Sequence, residues 1–257
     1  MALVTGGAKR IGEAIVRALA SDGYAVGIHY HASAGPAETL AAELTRAGHR
    51  VATLQADLAD PSAPAQLLAA CAEQLGPVRV LVNNAAAFRY DTPQTLTADD
   101  LAHHIAPNLA APLLLARDFA ESLGAQTGAI VNLLDHKVTA LNPDFFTYTL
   151  TKVAMAGATK MLAQALYPRV RVNGIAPGIT LISGKQSPEG FAHAWSAPPL
   201  GRSATPAELG RAVCFILATQ SLNGQILVLD GGESLLARPR DVAFDKAREA
   251  RKKAVLF

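Results

Sequence analysis

The stretch Thr5–Leu19, TGGAKRIGEAIVRAL, decides how this sequence folds. A short apolar run, Ala2–Thr5, leads into the glycines, and apolar residues recur at helical spacing after them, which predicts a strand, a tight turn and a helix. Glycine suits the turn because a side chain would keep the backbone away from a bound group, and free N–H groups at the start of the helix suit a phosphate. Such turns also serve packing alone, so the stretch predicts the fold before it predicts a ligand.

The rest of the chain repeats this alternation of strand and helix. Helices are predicted at Glu13–Ser21 and Pro36–Ala47, and further apolar strands at Ala25–Tyr30, Val51–Gln55, Val78–Val82, Ala129–Leu134, Val170–Ile175 and Gln225–Leu229. Strands that are apolar on both faces and joined by helical crossovers indicate a parallel sheet with helices on both faces. We therefore predict a single-domain α/β protein with a Rossmann-type doubly wound sheet, whose ligands lie beyond the carboxyl ends of the strands.

Composition excludes several classes of function. The chain has 257 residues, half of them hydrophobic, and a net charge of +2, which is too mild to indicate nucleic-acid binding. Cys71 and Cys214 have no second Cys or His at ligand spacing, so neither a disulfide scaffold nor a metal site is expected. The sequence shows neither a signal peptide nor an apolar span long enough for a membrane, so we expect a soluble cytoplasmic protein.

We predict one domain over residues 1–236, followed by a charged tail over residues 237–257. The least regular part of the domain is residues 179–202, rich in Gly, Pro and Ser but carrying Phe191 and Trp195. This composition favours a lid over a substrate; the alternative is a surface excursion anchored by two aromatic residues. The tail is expected to be a solvated helix or a frayed end.

The second strand ends in HYHASAG, without the acidic residue that would bind a ribose 2′-hydroxyl. Lys9 and Arg10 in the first turn, together with His31 and Ser33, offer positive charge and donors that suit a 2′-phosphate, which favours NADP(H) over NAD(H). Asp57, after the third strand, either accepts from an adenine amino group or caps the helix that follows.

Tyr148 and Lys152 are spaced to lie on one face of a helix. A lysine ammonium close to a phenol is expected to lower the pKa of the phenol toward the range of an acid/base catalyst. Asn108 is a polar residue within an apolar helical pattern. It either bridges backbone and a water that leads to Lys152, or is a structural amide with its hydrogen bonds satisfied.

Taken together, five motifs resemble the short-chain dehydrogenase/reductases from Ala2 to about Leu236: TGGAKRIG, the NNAA that begins at Asn83, Asn108, Tyr148-x-x-x-Lys152, and the VRVNGIAPG that ends at Gly178. The resemblance implies hydride delivery from a nicotinamide cofactor, a catalytic Asn, Ser, Tyr and Lys set in which Tyr148 donates the proton, and a homo-oligomer, often a tetramer. It implies cofactor contacts from Gly6, Lys9, Arg10, Ile11, Gly12, His31, Ser33, Asp57, Asn84, Ala85, Tyr148, Lys152, Pro177 and Gly178.

The sequence departs from the family pattern at Asp135, which stands where most members carry a serine. A serine hydroxyl donates to a ketone oxygen, whereas an ionised carboxylate repels it. Asp135 instead suits a substrate that presents N–H groups or, if protonated, one whose ring nitrogen gains a proton. Reduction of a C=N bond fits, and Phe88 is placed to stack on a flat ring; the alternative is that Phe88 is a core residue.

These features resemble the pteridine reductases and the dihydromonapterin reductases in particular. That branch implies proton transfer by Asp135 and Tyr148, stacking of Phe88 on the pterin and contacts from Arg10 to cofactor phosphate and substrate; the lid adds Trp195 as a substrate residue. Two positions differ: Ala32 replaces an arginine that often holds the 2′-phosphate, and Ala86 replaces a serine near the nicotinamide.

Three hypotheses follow. The first is an NADPH-dependent pteridine reductase in which Asp135, Tyr148, Lys152 and Asn108 are the catalytic residues. The second is a reductase of the same fold that acts on a carbonyl or alcohol. The third is a nucleotide-binding scaffold without turnover, which the intact Asn108, Tyr148 and Lys152 disfavour.

Overall fold

A computed structural model, which describes residues 1–183 and 186–244, contains a seven-stranded parallel sheet between two layers of helices. The strands are β1 Ala2–Val4, β2 Val26–Tyr30, β3 Val51–Gln55, β4 Val80–Asn83, β5 Gly128–Leu133, β6 Val170–Pro177 and β7 Ile226–Leu229. The helices are α1 Arg10–Ser21, α2 Ala34–Arg46, α3 Ala63–Leu75, α4 Ala98–Ile105, α5 Ala111–Ser122, α6 Phe146–Ala165, α7 Pro188–Ser196 and α8 Pro206–Ala218. The predicted Rossmann-type fold is confirmed.

The strand order is β3-β2-β1-β4-β5-β6-β7, so the direction of winding reverses between β1 and β4. Apolar side chains of α1, α2 and α8 form a core on one face of the sheet, and those of α3, α5 and α6 form a second core on the other. Crevices at such a reversal, beyond the carboxyl ends of the strands, are where sheets of this type bind ligands. The glycine turn after β1 and the NNAA motif after β4 both lie there.

Two segments differ from their predicted character. Residues 179–202, expected to be irregular, contain the helix α7, which Ser187 caps by accepting a hydrogen bond from the backbone N–H of Gly190. The tail, expected to leave the domain after residue 236, returns to it over residues 238–244, where Val242 is buried. Its last part, residues 245–257, lies outside the described residues.

Cys71 is buried and Cys214 half-buried, and both are free thiols. Among the described ranges, no helix combines the length and apolarity needed to cross a bilayer. Within the same ranges, no group of three or more His, Cys, Asp or Glu side chains is placed to hold a metal ion.

Candidate active site

The glycine turn brings the backbone of β1 against the start of α1. Gly6 has a φ of +61°, which favours glycine, and a Cβ at Gly12 would lie 2.0 Å from the carbonyl oxygen of Gly6. Helix α1 begins at Arg10, so its first N–H groups have no intrahelical acceptor. Lys9 and Arg10 are exposed beside them. The turn therefore offers a close backbone approach, free donors and positive charge, which fit the pyrophosphate of a dinucleotide.

His29, on β2, fixes this turn by hydrogen bonds. Its Nδ1 accepts a hydrogen bond of 3.0 Å from the N–H of Gly6, and its Nε2 lies 3.1 Å from the carbonyl oxygen of Ala56. Burial lowers the pKa of His29 to about 4, so the ring is neutral and Nε2 carries the proton donated to Ala56. The sequence pattern indicated polar residues only at the end of β2 and did not indicate a role for His29.

Asn84 and Ala85, which the resemblance assigns to the cofactor, form hydrogen bonds to Thr5 and Gly6 across the point where the winding of the sheet reverses. The side-chain amide of Asn84 donates to the carbonyl oxygens of Thr5 and Gly6 at 2.9 and 3.1 Å. The hydroxyl of Thr5 accepts from the backbone N–H groups of Asn84 and Ala85 at 2.9 and 3.0 Å. These bonds fix the floor of the crevice.

The end of β2 carries His31, exposed, and Ser33, half-buried at the start of α2 without a side-chain capping bond. Nε2 of His31 lies 3.8 Å from the carboxylate of Asp57. Asp57 does not cap the following helix as one interpretation held, because α3 begins at Ala63; its Oδ1 accepts from the N–H of Ala59 at 2.9 Å.

On the other side of the crevice, β6 ends in Pro177, and Gly178 follows it. The N–H of Gly178 donates to the carbonyl oxygen of Leu229 at 2.9 Å. A Cβ at Gly178 would lie 2.6 Å from Oγ of Ser203 and 2.8 Å from Cα of Asp230, so packing alone requires glycine here. Ile11, the remaining turn residue assigned to the cofactor, is half-buried in the first turn of α1.

The structure brings Asp135 and Tyr148 together. Asp135 follows β5, and Tyr148 lies in the first turn of α6, where its hydroxyl donates to Oδ2 of Asp135 at 3.2 Å. The other carboxylate oxygen, Oδ1, accepts from the N–H of Lys137 at 2.9 Å. Backbone and phenol thus fix the carboxylate in the crevice beyond β5.

Charges around this pair set its protonation. Burial alone would raise the pKa of Asp135, but His136 and the N–H and ammonium of Lys137 outweigh it and lower the pKa to about 2. Burial and the charge of Asp135 raise the pKa of Tyr148 well above its ordinary value, contrary to the predicted lowering by Lys152. The structure therefore pairs an ionised carboxylate with a phenol that keeps its proton.

Lys152 lies one helical turn after Tyr148, as predicted, with its Nζ 5.5 Å from the centre of the phenol ring. Its ammonium donates to the carbonyl oxygen of Leu133 at 2.8 Å. Burial lowers the pKa of Lys152 to about 8, while the charge of Asp135 acts in the opposite direction. The ammonium therefore stays charged at neutral pH.

Asn108 lies in a π-helical segment, Ala106–Ala110, between α4 and α5. Its Oδ1 accepts from the N–H of Ala87 at 2.7 Å, and its Nδ2 donates to the carbonyl oxygen of Ala87 and to Oγ1 of Thr151. These contacts satisfy the side-chain amide and hold the segment that leads to Phe88 against α6, and a water-mediated role of Asn108 toward Lys152 stays a prediction.

Phe88 borders Tyr148 and is not a core residue, since 43% of it is exposed. Its ring meets that of Tyr148 edge-on at 4.7 Å and stacks on that of Phe145 at 4.5 Å. Phe145 has a φ of +54°, and the ring of Tyr90 meets its ring edge-on, with the centroids 5.1 Å apart. Phe88 and Phe145 therefore form an aromatic wall beside the phenol.

Comparison with known proteins agrees with this geometry. A family model described as enoyl-(acyl carrier protein) reductase matches residues 6–234. The chain also resembles a short-chain dehydrogenase/reductase from Serratia marcescens, with 31% identity and a TM-score of 0.84 over 91% of this chain and 97% of that one. The chain belongs to the short-chain dehydrogenase/reductase family. It is therefore an oxidoreductase.

Two further members of this family are informative. The crystal structure of FolM alternative dihydrofolate reductase 1 from Brucella canis, complexed with NADP, has 42% identity and a TM-score of 0.86 over 91% of this chain and 93% of that one. Pteridine reductase 1 from Leishmania tarentolae is 31% identical over 91% of this chain and 96% of its own. This short-chain reductase thus has relatives named for pteridine and dihydrofolate reduction.

The C-terminal segment, residues 238–244, packs beside the aromatic wall, a contact that the sequence did not indicate. Arg240 donates two hydrogen bonds of 2.7 Å to the carboxylate of Asp144, which is 1% exposed. Phe244 packs on Tyr90 and lies 6.3 Å from Phe145. Because Asp144 directly precedes Phe145, this segment braces the aromatic wall.

Trp195, a predicted substrate residue, lies on α7. Its indole N–H donates to the carbonyl oxygen of Ala204 at 3.4 Å, and the guanidinium of Arg202 lies 5.8 Å from the centre of its ring. These contacts anchor α7 to the segment that precedes α8, as expected for the alternative of a surface excursion anchored by aromatic residues. A substrate contact by Trp195 stays a prediction.

Proposed function

We propose that this short-chain reductase reduces a C=N bond of a pterin ring with NADPH. The observation that carries the proposal is the hydrogen bond of 3.2 Å from the hydroxyl of Tyr148 to an ionised Asp135, beside the partly exposed ring of Phe88. The names of the Brucella and Leishmania relatives support it.

The cofactor fits the crevice at the sheet reversal. The turn Gly6–Gly12 and the start of α1 would hold its pyrophosphate, and Lys9, Arg10, His31 and Ser33 its 2′-phosphate. Bound there, NADPH supplies the hydride that reduces the ring carbon. The ammonium of Lys152, charged at neutral pH, would hold the nicotinamide ribose.

Asp135 selects the substrate by charge. With its pKa lowered to about 2, the resting carboxylate is ionised, accepts hydrogen bonds and favours a ring that presents N–H groups. The same charge repels a ketone oxygen or a developing alkoxide. A nitrogen heterocycle is therefore the substrate class that this carboxylate recognises.

Tyr148 is the proton donor. Its raised pKa keeps the phenol protonated at neutral pH, so the O–H is available when a ring nitrogen becomes basic as hydride reaches the adjacent carbon. The aromatic wall of Phe88 and Phe145 would hold the flat ring within reach of this hydroxyl; pairs of this kind contribute about 0.5–1.5 kcal/mol beyond area burial.

The test is NADPH oxidation by the purified protein with dihydrobiopterin, dihydromonapterin, dihydrofolate and a panel of ketones. We expect turnover of at least one pterin or folate and slow or undetectable turnover of the ketones. Turnover of ketones alone would replace the proposal with a carbonyl reductase, and binding of NADPH without turnover of any compound would replace it with a nucleotide-binding scaffold.

A further inference from the structure

His136 touches Asp135 on the side away from Tyr148. The phenol bonds to Oδ2, whereas Nδ1 of His136 lies 3.2 Å from Oδ1. The imidazole is largely buried, with 14% of its side chain exposed. Phenol, carboxylate and imidazole therefore form a continuous row in which each group lies within 3.2 Å of the next.

His136 also lines a small polar cleft of about 10 Å³, the room of roughly one water molecule. Glu233, only 5% exposed, lines it and accepts from Nε of Arg238 at 2.6 Å through Oε1. In the described part of the chain, Oε2 of Glu233 has no aligned hydrogen-bond partner, and Nδ1 of His136 lies 3.2 Å from Oδ1 of Asp135 without being aligned as a hydrogen bond. Glu233 is thus an acceptor beside the cleft, and Nδ1 of His136 is directed to Asp135.

We propose that His136 returns a proton to Tyr148 through Asp135 after each turnover, a role that rests on the proposed function. When the O–H bond of Tyr148 breaks and the N–H bond of the product forms, the phenolate takes the proton of the Asp135 carboxyl. That carboxyl has received it on Oδ1 from Nδ1 of the His136 imidazolium, and rotation of the carboxyl about its Cβ–Cγ bond turns the protonated oxygen toward Tyr148. The neutral imidazole then regains a proton from solvent through the cleft, so one proton enters for each proton delivered.

The charges of these three groups favour proton movement from His136 toward Tyr148. A phenolate at 3.2 Å from an ionised carboxylate is a pair of like charges, which favours uptake of a proton by one of them. Burial lowers the pKa of His136, but Asp135 and Glu233 outweigh it, and the net shift of the pKa is upward, which favours the imidazolium.

Charges from every neighbouring element act on this imidazole. Those that face it are Asp135, Lys137, Asp230, Glu233, Arg238, Arg240 and Asp241. The carboxylate of Asp135 lies 3.2 Å from Nδ1 of His136, and this contact is the one that the test addresses.

The test compares His136→Gln with His49→Gln as the matched control, because His49 lies between α2 and β3 at the opposite edge of the sheet. For pterin reduction, we expect His136→Gln to lower kcat by about 100-fold, in the range of proton-transfer catalysis, with KM for pterin and NADPH within about twofold. We also expect the wild type to lose kcat as His136 deprotonates with rising pH, and the variant to lack this limb while keeping the limb of Lys152 near pH 8.

A second measurement does not need turnover. Titration of the His136 imidazole by NMR should give a pKa above 6.5 in the wild type and a lower one in Asp135→Asn. An unchanged rate and pH profile in His136→Gln, or a His136 pKa that ignores Asp135→Asn, would overturn the inference. If the wild type reduces no pterin, the proposed function fails, while the titration still decides whether His136 and Asp135 are coupled.

Discussion

The crevice has two ends that are built in different ways. At the glycine end, formed by Gly6–Gly12, His29 and Asn84, backbone groups and neutral side chains fix the geometry. At the tyrosine end, formed by Asp135, Tyr148, Lys152 and the aromatic wall, charged and aromatic side chains from separate segments meet. The first end is rigid and sterically exacting, whereas the second gains its specificity from charge.

Replacing Tyr148 with Phe should have the largest effect, confined to the tyrosine end. Without the hydroxyl there is no proton donor, so kcat for pterin should fall by about 100- to 10,000-fold, while the Kd for NADPH stays within about threefold. Steady-state kinetics and fluorescence titration measure both. Tyr167→Phe is the control, because Tyr167 is 71% exposed beyond the end of α6. A variant that keeps a tenth of the rate would remove Tyr148 from the chemistry.

Gly12→Val should instead act at the glycine end and weaken the binding of NADPH. Its Cβ would lie 2.0 Å from the carbonyl oxygen of Gly6 and 2.7 Å from Nδ2 of Asn84, so the turn must deform. We expect NADPH to bind about 100-fold more weakly, as about 3 kcal/mol of overpacking implies. Gly157→Ala, on an open surface of α6, should leave binding unchanged. Tight NADPH binding by Gly12→Val would show that the turn is not the phosphate site.

Lowering the pH should reduce the free energy of unfolding through His29, at the glycine end. Its pKa is about 4 in the folded protein against 6.5 for the unfolded chain, so between these values the unfolded chain binds the proton that the folded one does not. The contribution of neutral His29 is complete above pH 6.5 and is lost as the pH falls toward 4, by up to about 3 kcal/mol. Urea unfolding of wild type and His29→Gln at several pH values measures it; parallel curves would contradict it.

Arg240→Ala should have a smaller effect, at the tyrosine end. Loss of the two bonds to Asp144 loosens Phe145, so KM for pterin should rise about tenfold, with little change in kcat or in the Kd for NADPH. Arg17→Ala, which removes an exposed pair with Glu13 and Glu43, is the control. An unaltered KM would separate the C-terminal segment from substrate binding.

The sequence predicted the strand, glycine turn and helix of the glycine end, because the requirements there are steric and local and the three are consecutive in the chain, but it did not indicate His29. It also predicted that Asp135 and Tyr148 meet. It did not predict the partners that arrive from distant positions, such as Phe145 through a left-handed backbone and Arg240 through the returning C-terminal segment. It also misjudged the pKa of Tyr148, because a spacing of four residues gives no measure of the opposing charge of Asp135.

The account depends most on the charge of Asp135 beside Tyr148. The direct test is the ratio of kcat/KM for dihydrobiopterin to kcat/KM for a ketone, measured in the wild type and in Asp135→Ser. We predict that the ratio falls by at least about 100-fold, which corresponds to roughly 3 kcal/mol of lost discrimination, with NADPH affinity nearly unchanged. A ratio that stays the same in Asp135→Ser would show that the carboxylate does not select the substrate.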